Sequence, residues 1–313
     1  MWRYILKRIL IAIPVLIGIS LIAFFTIRLV PGDTVTAMLG VNYNQQQAEV
    51  LRHKYGLDQP LVVQYLKWMK NVLQGDLGQS FFTNEPVFQS IVDRLPVTLE
   101  LMFMSLLYSI FIAIPLGVIA AVFRNQPIDY GASFLGLLGV SIPNFWLGTL
   151  MILFFSLTLG WFPSGGFVSL LENPLANLRH MLLPSIALGA SVGAVVMRMT
   201  RSSMLEVLGK EYIEMARAKG VSQKLLVLKH ALKNALIPVV TVIGIQMGYL
   251  LGGSIVIEKI FSLPGVGQLA LQAITNRDYA LMQGTILFVA TGFVVINLIV
   301  DIIYAFLNPQ IRY

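Results

Sequence analysis

Six stretches of this 313-residue chain are apolar, most over 20 residues or more: 9–30, 97–123, 131–159, 182–197, 236–257 and 280–307. An α-helix needs about 20 apolar residues to cross a bilayer core of roughly 30 Å. The chain is 57% hydrophobic and 12% charged, against about 25% charged in soluble domains. A soluble fold of this length cannot hide so much apolar surface. The sequence therefore predicts an all-α polytopic membrane protein with six transmembrane helices.

The polar segments between these runs set the topology. Arg3, Lys7 and Arg8 precede the first run, which continues past Arg28, and no small-x-small cleavage site follows, so this helix is retained. Arg28 near its outer end reads as an interfacial anchor whose long stem can snorkel to headgroups. Pro31-Gly32-Asp33 stops the helix. From there to Pro96 the chain is polar and nearly neutral, with five Lys/Arg and six Asp/Glu, as suits a long external segment. Two short helices are expected in it, Gln45 to Tyr55 closed by Gly56 and Leu61 to Leu73 closed by Gly75. Tyr65 and Trp68 suggest packing against the membrane or a partner. Pro143 and Asn144 interrupt the third run and predict a kink, and Asn308-Pro309 stops the sixth. Positive charge concentrates at the N-terminus, at Arg124, between the fourth and fifth runs, and at Arg312. Both termini are thereby placed in the cytoplasm. The net charge of +7 is a matter of topology, so no nucleic-acid binding is read from it.

Between the fourth and fifth runs lies a positively charged segment, with eight Lys/Arg and three Glu from Arg198 to Lys233. It has helical period on both sides of Gly220. Met204, Leu205, Leu208, Tyr212, Met215 and Ala216 share one face of a first helix, and Leu225, Leu228, Leu232 and Leu236 form a stripe on a second. Gly220 sits where a helix end favours positive φ, and Ser222 can cap the next helix. The expected form is a helix–Gly–helix hairpin on the cytoplasmic membrane surface.

ARAKG at Ala216–Gly220, with Glu214 two residues earlier, resembles the EAA loop of permease subunits of bacterial ABC importers. Glu214, Ala216 and Gly220 match that pattern. Met215 replaces its middle Ala, and His230 and Lys233 stand where Ile and Pro are expected. The surrounding text, with YGLDQPLVVQYLKWMKNVLQGDLGQSF, SIPNFWLG, PGVGQ and NRDY, is similar to the branch that imports dipeptides, oligopeptides and nickel. The resemblance covers nearly the whole chain. It implies a type I ABC importer permease fold in the bacterial cytoplasmic (inner) membrane. An N-terminal helix and extracytoplasmic helical insertion (1–95) would precede a transmembrane domain (96–308) with a coupling loop at about 203–235. It implies as partners a second homologous permease, two ATP-binding cassette subunits, an extracytoplasmic substrate-binding protein, a peptide substrate and the lipid bilayer. Nickel or a nickel chelate is the alternative cargo. Glu214, Met215, Ala216, Arg217 and Gly220 would dock the ATPases. A secondary transporter or channel acting alone, and a membrane scaffold, are the readings from other classes. The absence of an internal repeat weighs against the first.

The chain has no GxxxxGK[ST] pattern, so ATP and Mg are expected on the partner ATPases and no catalytic residue on this chain. With no Cys, and His53, His180 and His230 far apart, neither a metal site nor a cofactor is expected. Pathway or pore-proximal candidates are Asn144 and the four-residue repeat Gly244, Gly248, Gly252, whose face can meet another helix of this chain or of a second permease. Glu258, Arg277 and Asp278, in outer segments, can meet peptide termini or pair within their loop. Asp301, one turn after Asn297, is either a hydrogen-bonding group facing a pore or a carboxylate near the inner interface.

Overall fold

The computed structural model describes residues 2–29, 34–39 and 44–307. The helix stops expected at Pro31–Asp33 and Asn308–Pro309 lie outside the described residues, as do the chain ends. In chain order the helices are α1 (Trp2–Leu29), α2 (Thr34–Leu39), α3 (Gln45–Lys54), α4 (Leu61–Leu73), α5 (Val87–Val122), α6 (Pro127–Ser141), α7 (Asn144–Met151), α8 (Pro174–Leu208), α9 (Glu211–Ala218), α10 (Gln223–Leu225), α11 (Leu232–Ile260), α12 (Val266–Asn276) and α13 (Tyr279–Leu307). Wider π-helical turns continue α7 over Ile152–Thr158 and join α10 to α11 over Leu226–Ala231. Extended pairing among the described residues is limited to one bridge, Gln79 with Pro86.

Five helical stretches are long and apolar enough to cross a membrane, and a sixth span results if the bent pair Pro127–Ser141 and Asn144–Thr158 counts as one. That pair turns by 104°, a sharper feature than the expected kink. Pro143 has no N–H to give the helix and holds the residue before it extended: Ile142 has φ −82° and ψ 122°. The fourth span also departs from expectation. Its helix starts at Pro174, where the Asn173 side chain caps Ala176 N, and runs to Leu208, well past Met197.

The chain divides into two compact units. One comprises Trp2–Val97 and Pro264–Val295. In this unit α4 lies against α1. Tyr65 shares a hydrogen bond with Ser20 (2.9 Å), and the Phe24 ring stands edge-on to Tyr65 at 5.3 Å. Arg28 does not serve as a free headgroup anchor. Its Nε and Nη2 both donate to Gln64 Oε1 (3.2 and 2.9 Å), and its guanidinium covers the Phe24 ring at 3.6 Å. A second apolar cluster joins Val87 and Ile91 to Val266, Leu269, Ala273 and Leu281.

The other unit comprises Thr98–Leu263 and the chain from Ile296. Its centre is α8, packed most extensively on α11 and then on α6 and α7. The contacts are close because small residues line them. A Cβ on Gly189 would stand 2.6 Å from Ser105 O, and one on Gly117 would stand 2.7 Å from Met197 O. Ser109 Oγ donates to Gly189 O at 2.8 Å across the same seam. One buried ion pair fixes α6 to α8: Arg201 Nε and Nη2 donate to the two Asp129 oxygens at 2.6 and 2.8 Å. Asn125 N adds a third bond to that carboxylate at 3.0 Å.

Removing one side of this pair leaves the other charge poorly solvated. Asp129→Ala is expected to cost about 1.5–3 kcal/mol, read as a lower unfolding temperature in detergent. Arg201→Lys keeps the charge but loses the planar fork, and should fall between. An unfolding temperature unchanged in Asp129→Ala would show that the pair adds no stability.

Candidate functional site

The segment between the fourth and fifth spans is built differently from the expected two-helix hairpin. Lys210, between α8 and α9, is extended (φ −80°, ψ 145°). The single face expected over Met204–Ala216 is therefore broken, because the break resets the helical phase. Met204 belongs to α8 and is buried. On α9 the buried residue is Ile213, whereas Tyr212 is exposed and Met215 is 60% exposed. Ile213 enters a cluster with Val118, Ala121, Met204, Leu226, Val227, Ala231 and Ala235.

The second stripe is also displaced. Leu225 and Leu228 are exposed, while Leu226, Val227, Ala231 and Ala235 are buried. The π-helical turns over Leu226–Ala231 shift the side-chain register away from the α-helical spacing that the leucines follow. Ser222 precedes α10 but makes no capping hydrogen bond with its side chain. The chain then runs without interruption into α11, so the second half of the expected hairpin is the start of the fifth span.

Gly220 has φ +79°, the left-handed region in which a Cβ is costly. It closes α9: Gly220 N donates to Arg217 O (3.0 Å) and Val221 N to Ala216 O (3.2 Å). Tyr212 Oη accepts from Asn234 Nδ2 at 2.9 Å, which ties α9 to α11. The outcome is a two-turn helix locked to the unit by Ile213 and Tyr212. Glu214, Met215, Arg217 and Gly220 are exposed. Ala216 is partly buried against the internal cluster, so it supports the helix from behind and does not head the exposed face.

The remaining candidates separate. Asn144 is the first residue of α7, directly after the Pro143 break. Gly244 and Gly248 are buried, and a Cβ on Gly244 would overlap Val300 of α13. Gly252 is exposed with open space around it. Residues four apart advance 400° on a helix, so the third glycine has rotated about 80° from the first. Glu258 is 0% exposed, and its Oε1 accepts from Thr98 Oγ1 at 2.8 Å. Asp278 is buried as well, with Oδ2 accepting from Ser80 Oγ (2.5 Å) and Oδ1 from Leu281 N (3.2 Å) at the start of α13. Arg277 is exposed and ends α12 at φ +55°. The side chain of Asp301 lies outside the described residues. Sequence reasoning missed Asp129, Arg201 and Ile213. The first two carried a signal, an Asp at the start of one span and an Arg at the end of the next.

The packing separates two kinds of residue on α9. Ile213→Ala should cost about 2–5 kcal/mol of stability through the cavity it leaves. Met215→Ala should stay within about 0.5 kcal/mol. Gly220→Val should cost about 1 kcal/mol or more in backbone strain. Thermal unfolding of the three purified variants checks all of these, and equal losses in Ile213→Ala and Met215→Ala would contradict the assignment of faces.

Residues 113–313 match the family described as binding-protein-dependent transport system inner membrane component, and residues 1–102 match the N-terminal component of the same transport systems. A protein of Brucella abortus (strain 2308) named as a peptide transport system permease is 45% identical over 313 residues, covering 100% of both chains. The glutathione transport system permease protein of Salmonella paratyphi A (strain ATCC 9150 / SARB42) is 43% identical over 313 residues, again covering 100% of both. Among solved structures, a chain of a methionine ABC transporter in an inward-facing conformation superimposes with a TM-score of 0.58 at 23% identity, covering 69% of this chain and 95% of that one. The apolar spans, the short locked helix between the fourth and fifth, and these full-length matches lead to one identification: the chain belongs to the inner membrane component family of binding-protein-dependent transport systems, as a multi-pass permease of the ABC importer class.

Proposed function

We propose that this permease pairs with a second, homologous permease to form an ATP-driven path for dipeptides or oligopeptides. Two ATP-binding cassette subunits drive it, and an extracytoplasmic binding protein delivers the cargo. Both termini are cytoplasmic, and residues 34–95 form the external insertion after the first span. The observation that carries this reading is the two-sided construction of α9. One side, Ile213, is buried in a cluster shared with α8 and the start of α11. The other offers Met215 between Glu214 and Arg217, all exposed. A partner seated on that apolar centre with its charged rim pushes on a lever already bonded to two spans. Movement of the ATPases is thereby converted into movement of α8 and α11. ATP and Mg are bound by the ATPases.

Peptide cargo follows from the names of the full-length relatives, which refer to peptide and glutathione transport systems. Contact with a peptide terminus falls to Arg277, which is exposed, because Glu258 and Asp278 are turned inside the fold. The second permease is assigned to the face of α11 that shows Ile245, Tyr249, Gly252 and Val256, all exposed and spaced four, three and four residues apart. Asn144, at the break in the third span, lies beside the path.

Loss of an interface centre typically costs about 2 kcal/mol or more, so Met215→Asp is expected to lower peptide uptake more than tenfold. Glu214→Lys should weaken co-purification of the ATPase subunits in a salt-dependent way. The measurement is uptake of a labelled dipeptide, with ATPase recovery, at matched membrane expression. Normal uptake in Met215→Asp would remove α9 as the coupling element. ATP-dependent uptake of nickel without peptide would reassign the cargo.

A further inference from the structure

The N-terminal unit contains a cavity of about 420 Å³ that has no part in the reading above. Its walls come from α1, α3, α4, the loop after α4 and the first turns of α13. The volume is within the range of small-molecule sites. Its chemistry is one-sided. Arg28, His53, Lys54 and Lys67 line it, and no Asp or Glu is among the described lining residues. The cations that have partners there bond neutral oxygens: Arg28 to Gln64 Oε1 and Phe24 O, and Lys67 Nζ to Gln59 Oε1 at 2.8 Å. The nearby carboxylates are Asp58, 4.0 Å from the exposed His53 ring, Asp76, which accepts from Gly78 N, and Asp278, which is turned to Ser80 Oγ and Leu281 N.

Two further groups point to an absent acceptor. Trp68 and Gln283 also line this cavity, and behind its surface Trp68 Nε1 and Gln283 Nε2 are buried N–H donors with no hydrogen-bond partner in the fold. Gln283 is only 4% exposed. Neither nitrogen can act as an acceptor, and a buried donor left unbonded is costly. Two orphan donors, a surplus of positive charge, and the rings of Tyr55, Trp68, Phe81 and Tyr279 in one cavity select a particular guest. It has an anionic acceptor group and an apolar or aromatic body.

We propose that this cavity binds a small organic carboxylate, its oxygens bonded by Trp68 Nε1 and Gln283 Nε2 and its charge balanced by Arg28, Lys54 and Lys67. The site is separate from α9 and does not rest on the assignment of cargo.

The test is calorimetric titration of the full-length protein in nanodiscs of zwitterionic lipid. The probes are N-acetylphenylalanine and its C-terminal amide, which differ only in the charged acceptor. The carboxylate should bind at least tenfold more tightly than the amide. A Lys54→Gln/Lys67→Gln double variant, changed at exposed side chains, should weaken binding about tenfold. Trp68→Phe keeps the ring but loses the N–H, and should weaken it as well. Unfolding temperatures of both variants should match the parent protein. Equal affinity for acid and amide, no binding up to millimolar concentration, or unchanged affinity in the double variant would each overturn the proposal. Phosphatidylglycerol nanodiscs distinguish the other source of an anionic group. If these lipids abolish binding while the variants have no effect in zwitterionic nanodiscs, the cavity is a headgroup site and the proposal is wrong.

Discussion

A peptide group in hydrocarbon has no water to bond, and every other feature of this permease answers to that constraint. It forces the spans to be helical, and it makes each interruption of a helix a place that needs repair. At the Pro143 break, Ile142 N still reaches Leu138 O at 2.9 Å, and Leu147 N bonds Pro143 O at 3.0 Å once α7 begins. Buried hydroxyls follow the same rule. Ser105 and Thr200 each donate to the carbonyl four residues earlier, at 2.7–2.8 Å, and Ser109 shares its one proton between Ser105 O and Gly189 O. None of these three hydroxyls takes a side chain of a distant helix as its partner.

The seams between spans explain how the central unit holds together without an apolar driving force between helices. Lipid tails are as apolar as leucine, so association depends on close contact and on bonds across the gap. Gly117 and Gly189 allow backbone atoms to lie where side chains would otherwise stand. Ser109 adds a hydrogen bond across one seam, and the Asp129–Arg201 pair closes another. The helix α8 takes part in all of these, and α9 follows it directly in sequence.

Local features were legible in the sequence. The spans declared themselves by length and apolarity. Gly56 and Gly75 marked helix ends correctly, and α3 and α4 occupy the expected residues to within one position. Gly220 announced its positive φ. Features that depend on phase or on distance were not legible. A two-residue break at Gly209 and Lys210 made Ile213, and not Tyr212 or Met215, the core residue of α9. The turns at Leu226–Ala231 did the same to the leucine stripe. Glu258 read as a group for a peptide terminus or a loop pair because Thr98, whose hydroxyl it accepts from, is 160 positions away in the chain. Tyr65 and Trp68 were expected to pack against the membrane or a partner, but they pack within the unit on Ser20 and Phe24 of α1, which nothing local named. In the candidate site the exposed residues Glu214, Met215 and Arg217 were readable from a motif, whereas the anchoring behind them required the fold.

The π-helical stretch at Leu226–Ala231 is a step in angular phase within an otherwise continuous rod. A π turn holds one residue more than an α turn would in the same place, and one residue is about 100° of rotation on an α-helix. The side chains before and after it are therefore offset around the axis by close to that amount. Tightening the stretch to α-helical winding would twist α11 about its long axis relative to α9 without lengthening any loop. The rod joining the two is thus geared as well as stiff: axial rotation, and not only tilt, is available to carry a movement from one end of it to the other.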